Sequence, residues 1–365
     1  MSVPNVQSDI TFTTKEFSFS GNAKEYFGIW IVNLLLSIVT LGIYTAWAKV
    51  RRLRYFYGNT WLDGHNFEYH AKPMQILIGR IIVVGYLIFT QIMANFYPIA
   101  ALILILPYII LLPWVLNKAL AFNARMTSYR NVRLSFEGTY WRSLGIFILM
   151  PIAVSLSSGL IAPIGSQMAM NYLGNNTRYG NLKFETHTPL GPLYGNFGAA
   201  FVFSIAGLVI FGIAAFGVIS ASGSGLSELF SGFGADGETT DALATVGIFG
   251  FIIGLYSVFI FAYIFYSAGV RNIAYNHTLL DGVHRFKSTL SRLKYVWIIL
   301  SNFFAVILSI GLLRPWAAVR TWSYLTSNTA LIQAGEFPVS KNIVDPMGNA
   351  ATAEYIDIDG IDFGL

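Results

Sequence analysis

The residues with the clearest chemical potential are two carboxylate and imidazole pairs, each in the pattern Phe-Glu-x-His. They are Glu68 with His70 and Glu185 with His187. Carboxylates and imidazoles are common ligands of Zn²⁺, so these four side chains could form a metal site if the fold brings them together. The alternative is a structural cap at a membrane edge, present twice because a unit was duplicated. We favour the cap, because repeated segments mostly carry structure.

Other catalytic chemistry has little support in the sequence. The chain contains no cysteine, and no Gly-x-Ser-x-Gly, P-loop or Rossmann pattern occurs in it. Its five histidines form neither His-x-x-x-His nor His-Glu-x-x-His. We therefore expect a protein that is not an enzyme and that has no metal and no other cofactor.

Composition places these residues in a membrane protein. Of the 365 residues, 55% are hydrophobic and only 11% are charged, whereas soluble domains average about 25% charged residues. A membrane helix needs about 20 largely apolar residues. Seven stretches meet or approach that length: 26–48, 76–96, 99–120, 144–165, 193–219, 243–270 and 295–317. The expected fold class is an all-α polytopic membrane protein with seven hydrophobic segments and small cytoplasmic β-hairpins.

The charged residues surround these stretches. All 18 acidic residues lie outside them, whereas bases cluster at 49–72, 118–142 and 271–294. Basic segments beside membrane helices favour the cytoplasmic side and an anionic leaflet. We therefore expect the lipid bilayer and anionic lipid headgroups as partners, and we expect no binding of nucleic acid.

An internal repeat connects distant parts of the chain. Residues 33–60 align without gaps with residues 302–329, and a weaker third copy pairs Gly159 with Gly42. The plan is three short units alternating with two long units, all in one membrane domain. The short units are 17–60, 136–177 and 286–329, the long units are 67–131 and 184–277, the domain is 15–335, and the flexible ends are 1–14 and the acidic tail 336–365.

The repeat also selects candidate residues for a cavity or for the repeat motif itself. Interrupted helices in repeated membrane units lie beside substrate sites in secondary transporters, although asparagines in a bundle can equally bridge two helices by hydrogen bonds. The candidates are Asn33, Gly42, Trp47, Arg51, Asn59, Gly159, Asn302, Gly311, Trp316, Arg320 and Asn328.

The short units either cross the membrane once or turn back at the glycine that each contains. Turning back would keep the polar β-hairpins on one side of the membrane, together with the basic clusters. These hairpins are predicted at Asp63-Gly64, at Asp281-Gly282 and around Gly180, because such dipeptides favour two-residue turns. We favour the fold-back, with the C-terminus in the cytoplasm.

Residues 40–51 read Thr-Leu-Gly-Ile-Tyr-Thr-Ala-Trp-Ala-Lys-Val-Arg, and residues 314–317 read Arg-Pro-Trp-Ala. With the lead-in Phe-Ser-Phe-Ser-Gly at 17–21, this pattern resembles the YjgN-like family of bacterial inner-membrane proteins. The likeness covers about residues 15–330. It implies a location in the inner membrane, but the family has no established activity to transfer.

We expect an integral inner-membrane protein that binds or transports a small solute or lipid. The alternative is an envelope scaffold or interaction protein that transports nothing. Transport predicts a polar cavity lined by Asn33 and Asn302 beside the glycine breaks, whereas a scaffold predicts an exposed patch outside the membrane. A homo-oligomer would suit the Gly-x-x-x-Gly patterns at 191–195 and 250–254, and the sequence names no substrate.

Overall fold

A single closed antiparallel barrel of ten short strands organises the chain. The computed structural model describes residues 11–222 and 242–335, so residues 1–10, residues 223–241 and the predicted acidic tail lie outside the described residues. The strands are β1 (Phe12–Phe19), β2 (Thr60–Leu62), β3 (His65–Tyr69), β4 (Thr127–Tyr129), β5 (Val132–Phe136), β6 (Thr177–Tyr179), β7 (Leu182–Thr186), β8 (Thr278–Leu280), β9 (His284–Ser288) and β10 (Thr329–Ala334).

Each strand pairs with its neighbours in sequence, and the last strand closes the barrel against the first. Residues 12–16 of β1 pair with β10, with Phe12 opposite Ala334. The rest of β1 pairs with β2, with Phe17 opposite Leu62. Residues 12–14, which fall in the N-terminal segment predicted to be flexible, are therefore part of this closing strand.

Two helices among the described residues connect the strands of each pair β1–β2, β3–β4, β5–β6, β7–β8 and β9–β10. They are α1 (Ala23–Val39), α2 (Thr45–Gly58), α3 (Pro73–Phe96), α4 (Pro98–Met126), α5 (Tyr140–Leu156, with a π-helical turn at Gly145–Leu149), α6 (Ala162–Asn175), α7 (Leu190–Ser222), α8 (Ala242–Asn276), α9 (Arg292–Leu308) and α10 (Arg314–Ser327). Because successive strands are antiparallel, all five helical connections leave from one rim, which we call the helical rim. The four tight turns and residues 11 and 335 lie at the other, which we call the turn rim.

Apolar side chains fill the barrel. Alternate strand residues point inwards, so that Leu182 of β7 is buried while Lys183 is exposed. Two buried tyrosine hydroxyls also find partners: Tyr129 donates to the Leu62 carbonyl at 2.8 Å, and Tyr179 donates to the Tyr129 carbonyl at 2.9 Å. The interior cluster comprises Leu62, Tyr129, Val132, Tyr179, Leu182, Leu280 and Leu331, with Phe17, Phe67, Leu134, Phe184 and Phe286 packed against it. The described barrel is therefore a packed core.

The prediction of an all-α protein with seven hydrophobic segments is wrong. The chain forms a closed barrel, and only three helices among the described residues are long and apolar enough to cross a membrane. These are Pro73–Phe96, Leu190–Gly217 and Phe249–Asn276. The predicted β-hairpins are real turns, but they are joined into one sheet, and a fourth turn at Arg130 and Asn131 was not predicted.

The hydrophobic stretches of the three short units are each broken near the middle. Leu41 and Gly42 have φ angles of 51° and 89°, and a left-handed pair of this kind ends a helix. Helices α1 and α2, of 17 and 14 residues, are about 25 and 21 Å long, short of the hydrocarbon thickness of about 30 Å. The chain turns back there, and both ends of the unit join adjacent barrel strands.

Candidate functional site

An arginine and a buried asparagine join the two helices of the first short hairpin. Arg51 on α2 donates from Nη1 to Oδ1 of Asn33 on α1 at 3.1 Å and to the Tyr44 hydroxyl at 3.1 Å. Asn33 is only 6% exposed. The neighbouring candidate Trp47 stacks on Tyr44 with ring centroids 6.0 Å apart. These side chains hold the hairpin together.

The last short hairpin contains the same pair. Arg320 on α10 donates from Nη1 to Asn302 Oδ1 at 3.0 Å and to Ser301 Oγ at 2.7 Å. Its guanidinium lies 5.0 Å from the Trp316 ring centroid. Asn302 Nδ2 in turn donates to the Ala317 carbonyl at 3.1 Å. Both predicted asparagines are therefore engaged in helix bridging, which is the alternative to lining a cavity.

The candidates Asn59 and Asn328 end the second helix of each short hairpin. Asn59 Nδ2 donates to the Tyr55 carbonyl at 2.8 Å, and Asn328 Nδ2 donates to the Tyr324 carbonyl at 2.7 Å. Such bonds satisfy carbonyls that lose their partners at a helix C-terminus. These residues stabilise the junction between helix and barrel.

The three predicted glycines lie at hairpin tips surrounded by aliphatic side chains. Gly42, Gly159 and Gly311 have φ angles of 89°, 87° and 86°. Beside them, Leu41 and Ile310 are each 94% exposed. Large exposed apolar side chains at a helical turn suit a hydrocarbon environment. The two described grooves lie on the barrel, away from these tips.

The four Glu and His residues do not come together. His70 Nε2 lies 2.6 Å from Ser128 Oγ and 3.4 Å from Glu68 Oε2, but Glu185 and His187 belong to the end of β7, and three strands separate β7 from β3. The described residues contain no group of three or more metal-ligating side chains. The geometry therefore gives the metal alternative no site.

The contact with Ser128 does not form a catalytic relay. Both contacts of His70 use the same ring nitrogen, whereas a relay needs the carboxylate and the hydroxyl on opposite nitrogens. Ser128 is also only 1% exposed. Burial, then the Arg133 charge, lowers the pKa of His70, with Glu68 opposing. A neutral imidazole at neutral pH follows.

A polar groove of about 350 Å³ opens beside this histidine on the outer wall of the barrel. Its lining includes Arg54 and Gly58 from α2 and Asn66, Glu68 and His70 from and just after β3. The sequence pointed to Glu68 and His70 as possible ligands but missed Arg54 and Gly58. Arg54 and Gly58 lie on α2, and their position beside β3 depends on how α2 packs across the barrel. No local sequence pattern shows that packing.

Four exposed bases lie where helices leave the helical rim. They form what we call the basic collar, and each is at or within three residues of the start of the first helix of a hairpin: Lys24, Lys72, Arg142 and Lys294. Glu25 is the single acidic residue within the described helices. The predicted basic clusters contained Lys72, Arg142 and Lys294 but not Lys24, and only barrel closure gathers the four bases at one rim.

Exposed tryptophans accompany the collar. Trp141, adjacent to Arg142, is 77% exposed, and Trp297, three residues after Lys294, is 62% exposed. Tryptophan is enriched at the boundary between lipid and water. Bases and tryptophans therefore occur together at two of these helix ends.

Comparisons with known proteins support a location in the inner membrane. Residues 14–357 match the DUF898 family, described as a bacterial protein of unknown function. The inner membrane protein YjgN of Salmonella typhimurium is 26% identical over 343 residues, covering 85% of this chain and 87% of the relative. No solved structure matches the chain.

Two further relatives match a shorter part. The inner membrane proteins YjgN of Escherichia coli O157:H7 and strain K12 are each 30% identical over 168 residues. That region covers 45% of this chain and 41% of each relative, so the match spans less than half the length of these two proteins. The predicted resemblance to YjgN-like proteins is confirmed.

Proposed function

Because the chain belongs to the DUF898 family of bacterial proteins, whose function is unknown, we propose a function from its own geometry: it binds anionic lipid headgroups of the inner membrane through the basic collar. The names of the relatives and the three apolar helices support an inner-membrane location. The observation that carries the proposal is the placement of exposed bases at the helix N-termini of one barrel rim.

Electrostatics support an anionic ligand at these positions. The N-terminus of a helix carries a partial positive charge, and a base there is unfavourable by about 0.3–1 kcal/mol. Lys24, Arg142 and Lys294 nevertheless lie in first turns, and Lys72 is an N-cap. A headgroup phosphate would interact favourably with both the base and the helix end.

The same geometry supports an orientation. Helices α3, α7 and α8 would cross the bilayer, and α4, which returns the chain from α3 to β4 at the same rim, would cross it beside α3. The short hairpins would enter the bilayer part of the way from the helical rim. The barrel, the tight turns and the chain beyond Gly335 would then lie in the cytoplasm, because basic collars favour that side. The packed barrel interior supports lipid binding at the surface over passage of a solute along the barrel axis.

The test removes two collar charges from the full-length protein. We expect the double variant Lys24→Gln/Arg142→Gln, purified in detergent, to bind phosphatidylglycerol about thirtyfold more weakly, since each of the two bases near an anionic surface contributes about 1 kcal/mol. Titration with labelled phosphatidylglycerol, compared with phosphatidylcholine at two salt concentrations, measures the effect. Binding to the wild type should weaken at higher salt.

A matched control removes the same two types of charge elsewhere. Lys183 and Arg285 are exposed on barrel strands, each near a tight turn at the turn rim. The variant Lys183→Gln/Arg285→Gln should bind phosphatidylglycerol like the wild type. Equal losses in the two double variants would show that net charge alone acts, and the collar proposal would be abandoned.

A further inference from the structure

Two asparagines clamp α6 to the neighbouring strand β7. Asn175, the last residue of α6, accepts from the Thr186 amide at 2.6 Å and donates to the Thr186 carbonyl at 3.1 Å. One turn earlier, Asn171 accepts from the Thr188 amide at 2.9 Å. These bonds satisfy backbone groups where the strand ends and close the space between helix and strand.

The same clamp occurs where α8 meets β9. Asn276, again the last residue of its helix, accepts from the Ser288 amide at 2.8 Å and donates to the Ser288 carbonyl at 3.2 Å. Asn272, one turn earlier, donates to the Leu290 carbonyl at 2.7 Å. In both clamps the final asparagine lies two residues before the next barrel strand.

Helix α2 departs from this arrangement beside β3. The corresponding positions hold Arg54 and Gly58, and Gly58 is the last residue of α2. Arg54 donates from Nε to the Tyr69 carbonyl at 3.3 Å and from Nη2 to the Ala71 carbonyl at 3.1 Å. A Cβ atom on Gly58 would meet nothing within 4 Å. Here Arg54 makes the clamp together with Asn66 of β3, whose Nδ2 donates to the Gly58 carbonyl at 3.3 Å. The missing asparagine side chain at position 58 leaves the groove of about 350 Å³.

The open groove contains one charge of each sign. Arg54 bonds backbone through Nε and Nη2, and no described residue bonds its Nη1. The carboxylate of Glu68 is half exposed and lies 3.4 Å from His70 Nε2. A simple anion would be repelled by Glu68 and a simple cation by Arg54. The lining therefore favours a small ligand that carries both charges.

We propose that this groove binds the phosphoethanolamine group, with its phosphate at Arg54 and its ammonium at Glu68. Asn66 and His70 supply further polar contacts on the same wall. The groove lies at the end of β3, three residues before helix α3, one of the candidate membrane spans. A headgroup at the bilayer surface can therefore reach it. Its volume, at the lower end of the range for ligand pockets, suits a headgroup.

Two variants test the site without disturbing the clamp. Glu68→Gln removes the ammonium partner, and Gly58→Asn introduces the side chain that ends α6 and α8. The matched control is Glu185→Gln, because Glu185 is equally exposed on β7 beside a clamp that asparagine fills. We expect both test variants to bind phosphatidylethanolamine about tenfold more weakly in nanodiscs, because Glu68→Gln removes a charge-assisted contact and Gly58→Asn places a side chain in the groove. The control should bind normally.

Retention of wild-type affinity by Glu68→Gln, or an equal loss in Glu185→Gln, would overturn the proposal. A second titration uses soluble glycerophosphoethanolamine with protein in nanodiscs of phosphatidylcholine. Binding there as tight as that of the lipid supports a free metabolite as the source, and binding of the lipid alone supports the membrane as the source. The proposal is separable from the collar, because Glu68→Gln should leave phosphatidylglycerol binding unchanged.

Discussion

The guanidinium groups of Arg51 and Arg320 each donate a hydrogen bond to a buried asparagine on the partner helix of the same hairpin. In a membrane a polar side chain without a partner is expensive, so satisfied pairs of this kind fix the packing of two short helices. The middle hairpin has Met150 and Met168 at the aligned positions, so it contains no counterpart of this arginine–asparagine pair.

The first residue-scale prediction concerns Asn302. Replacing it with alanine removes the acceptor of Arg320 and the donor to Ala317, and a lost bond to a charged group costs about 2 kcal/mol. We expect the variant to unfold at a lower temperature in detergent. Ser301→Ala, which removes one bond to Arg320 at a less buried site, should lower that temperature less. An unchanged unfolding temperature in Asn302→Ala would contradict the role.

The second residue-scale prediction concerns His284, which is 2% exposed in β9. Its Nδ1 accepts a hydrogen bond from the Ala334 amide at 3.1 Å, and burial lowers its pKa despite the opposing charge of Asp281. The unfolded chain therefore binds this proton more readily. The stability that His284 contributes is therefore fully present above the unfolded-state pKa of about 6.5, and it is lost as the pH falls below that value.

Unfolding temperatures of the detergent-solubilised protein between pH 8 and pH 5 check this sign. His284→Asn keeps an acceptor for Ala334 but cannot titrate, so its unfolding temperature should fall less over the same range. Some dependence should persist, because the pKa of His70 is lowered in the same direction. A steeper fall in His284→Asn than in the wild type would refute the assignment.

At the scale of elements, the sequence predicted turns better than strands. The sequence predicted helix breaks at three glycines and hairpin turns at two Asp-Gly pairs, because the turn preference of glycine can be read from a few neighbouring residues. The breaks are Gly42, Gly159 and Gly311, and the turns contain Gly64 and Gly282. Most of the strands were harder to predict, because they have only three to five residues. In β4 all three residues are buried, so no alternation distinguishes the strand from the apolar helix before it.

The element-scale prediction compares one substitution at two glycines. Gly311 has a φ of 86° and open space around its Cβ position, so Gly311→Ala should cost about 1 kcal/mol from backbone strain alone. Gly28 lies inside α1 with similar space, so Gly28→Ala should stabilise by about 0.5–1 kcal/mol. Denaturant unfolding in micelles measures both changes, and the same sign for both would contradict the hairpin geometry.

At the scale of the molecule, five helical connections on one rim and four tight turns on the other define two sides. The charge pattern of the sequence predicted that the polar turns lie on one side of the membrane, but it could not show that their strands form one sheet. Closure pairs residue 12 with residue 334, and no local pattern contains that information. The groove at Gly58 was invisible for the same reason.

Labelling can check the sidedness, because the chain has no cysteine. Single cysteines at Asn181 and Val283, both in tight turns and exposed, should react with an impermeant maleimide from the same side of the membrane. Cysteines at Leu41 and Ile310, at hairpin tips, should resist the reagent because lipid would cover them. Opposite sidedness of the two turn positions, or ready labelling of the tips, would exclude the orientation.

The pairing of β1 with β10 has a consequence for biosynthesis. The first strand leaves the ribosome more than 300 residues before its partner, so all of the described helices are synthesised while the sheet is still open. A chain that terminates before β10 would expose the unpaired edges of β1 and β9, which are templates for aggregation. Closure therefore covers these edges only once the chain through β10 has been synthesised.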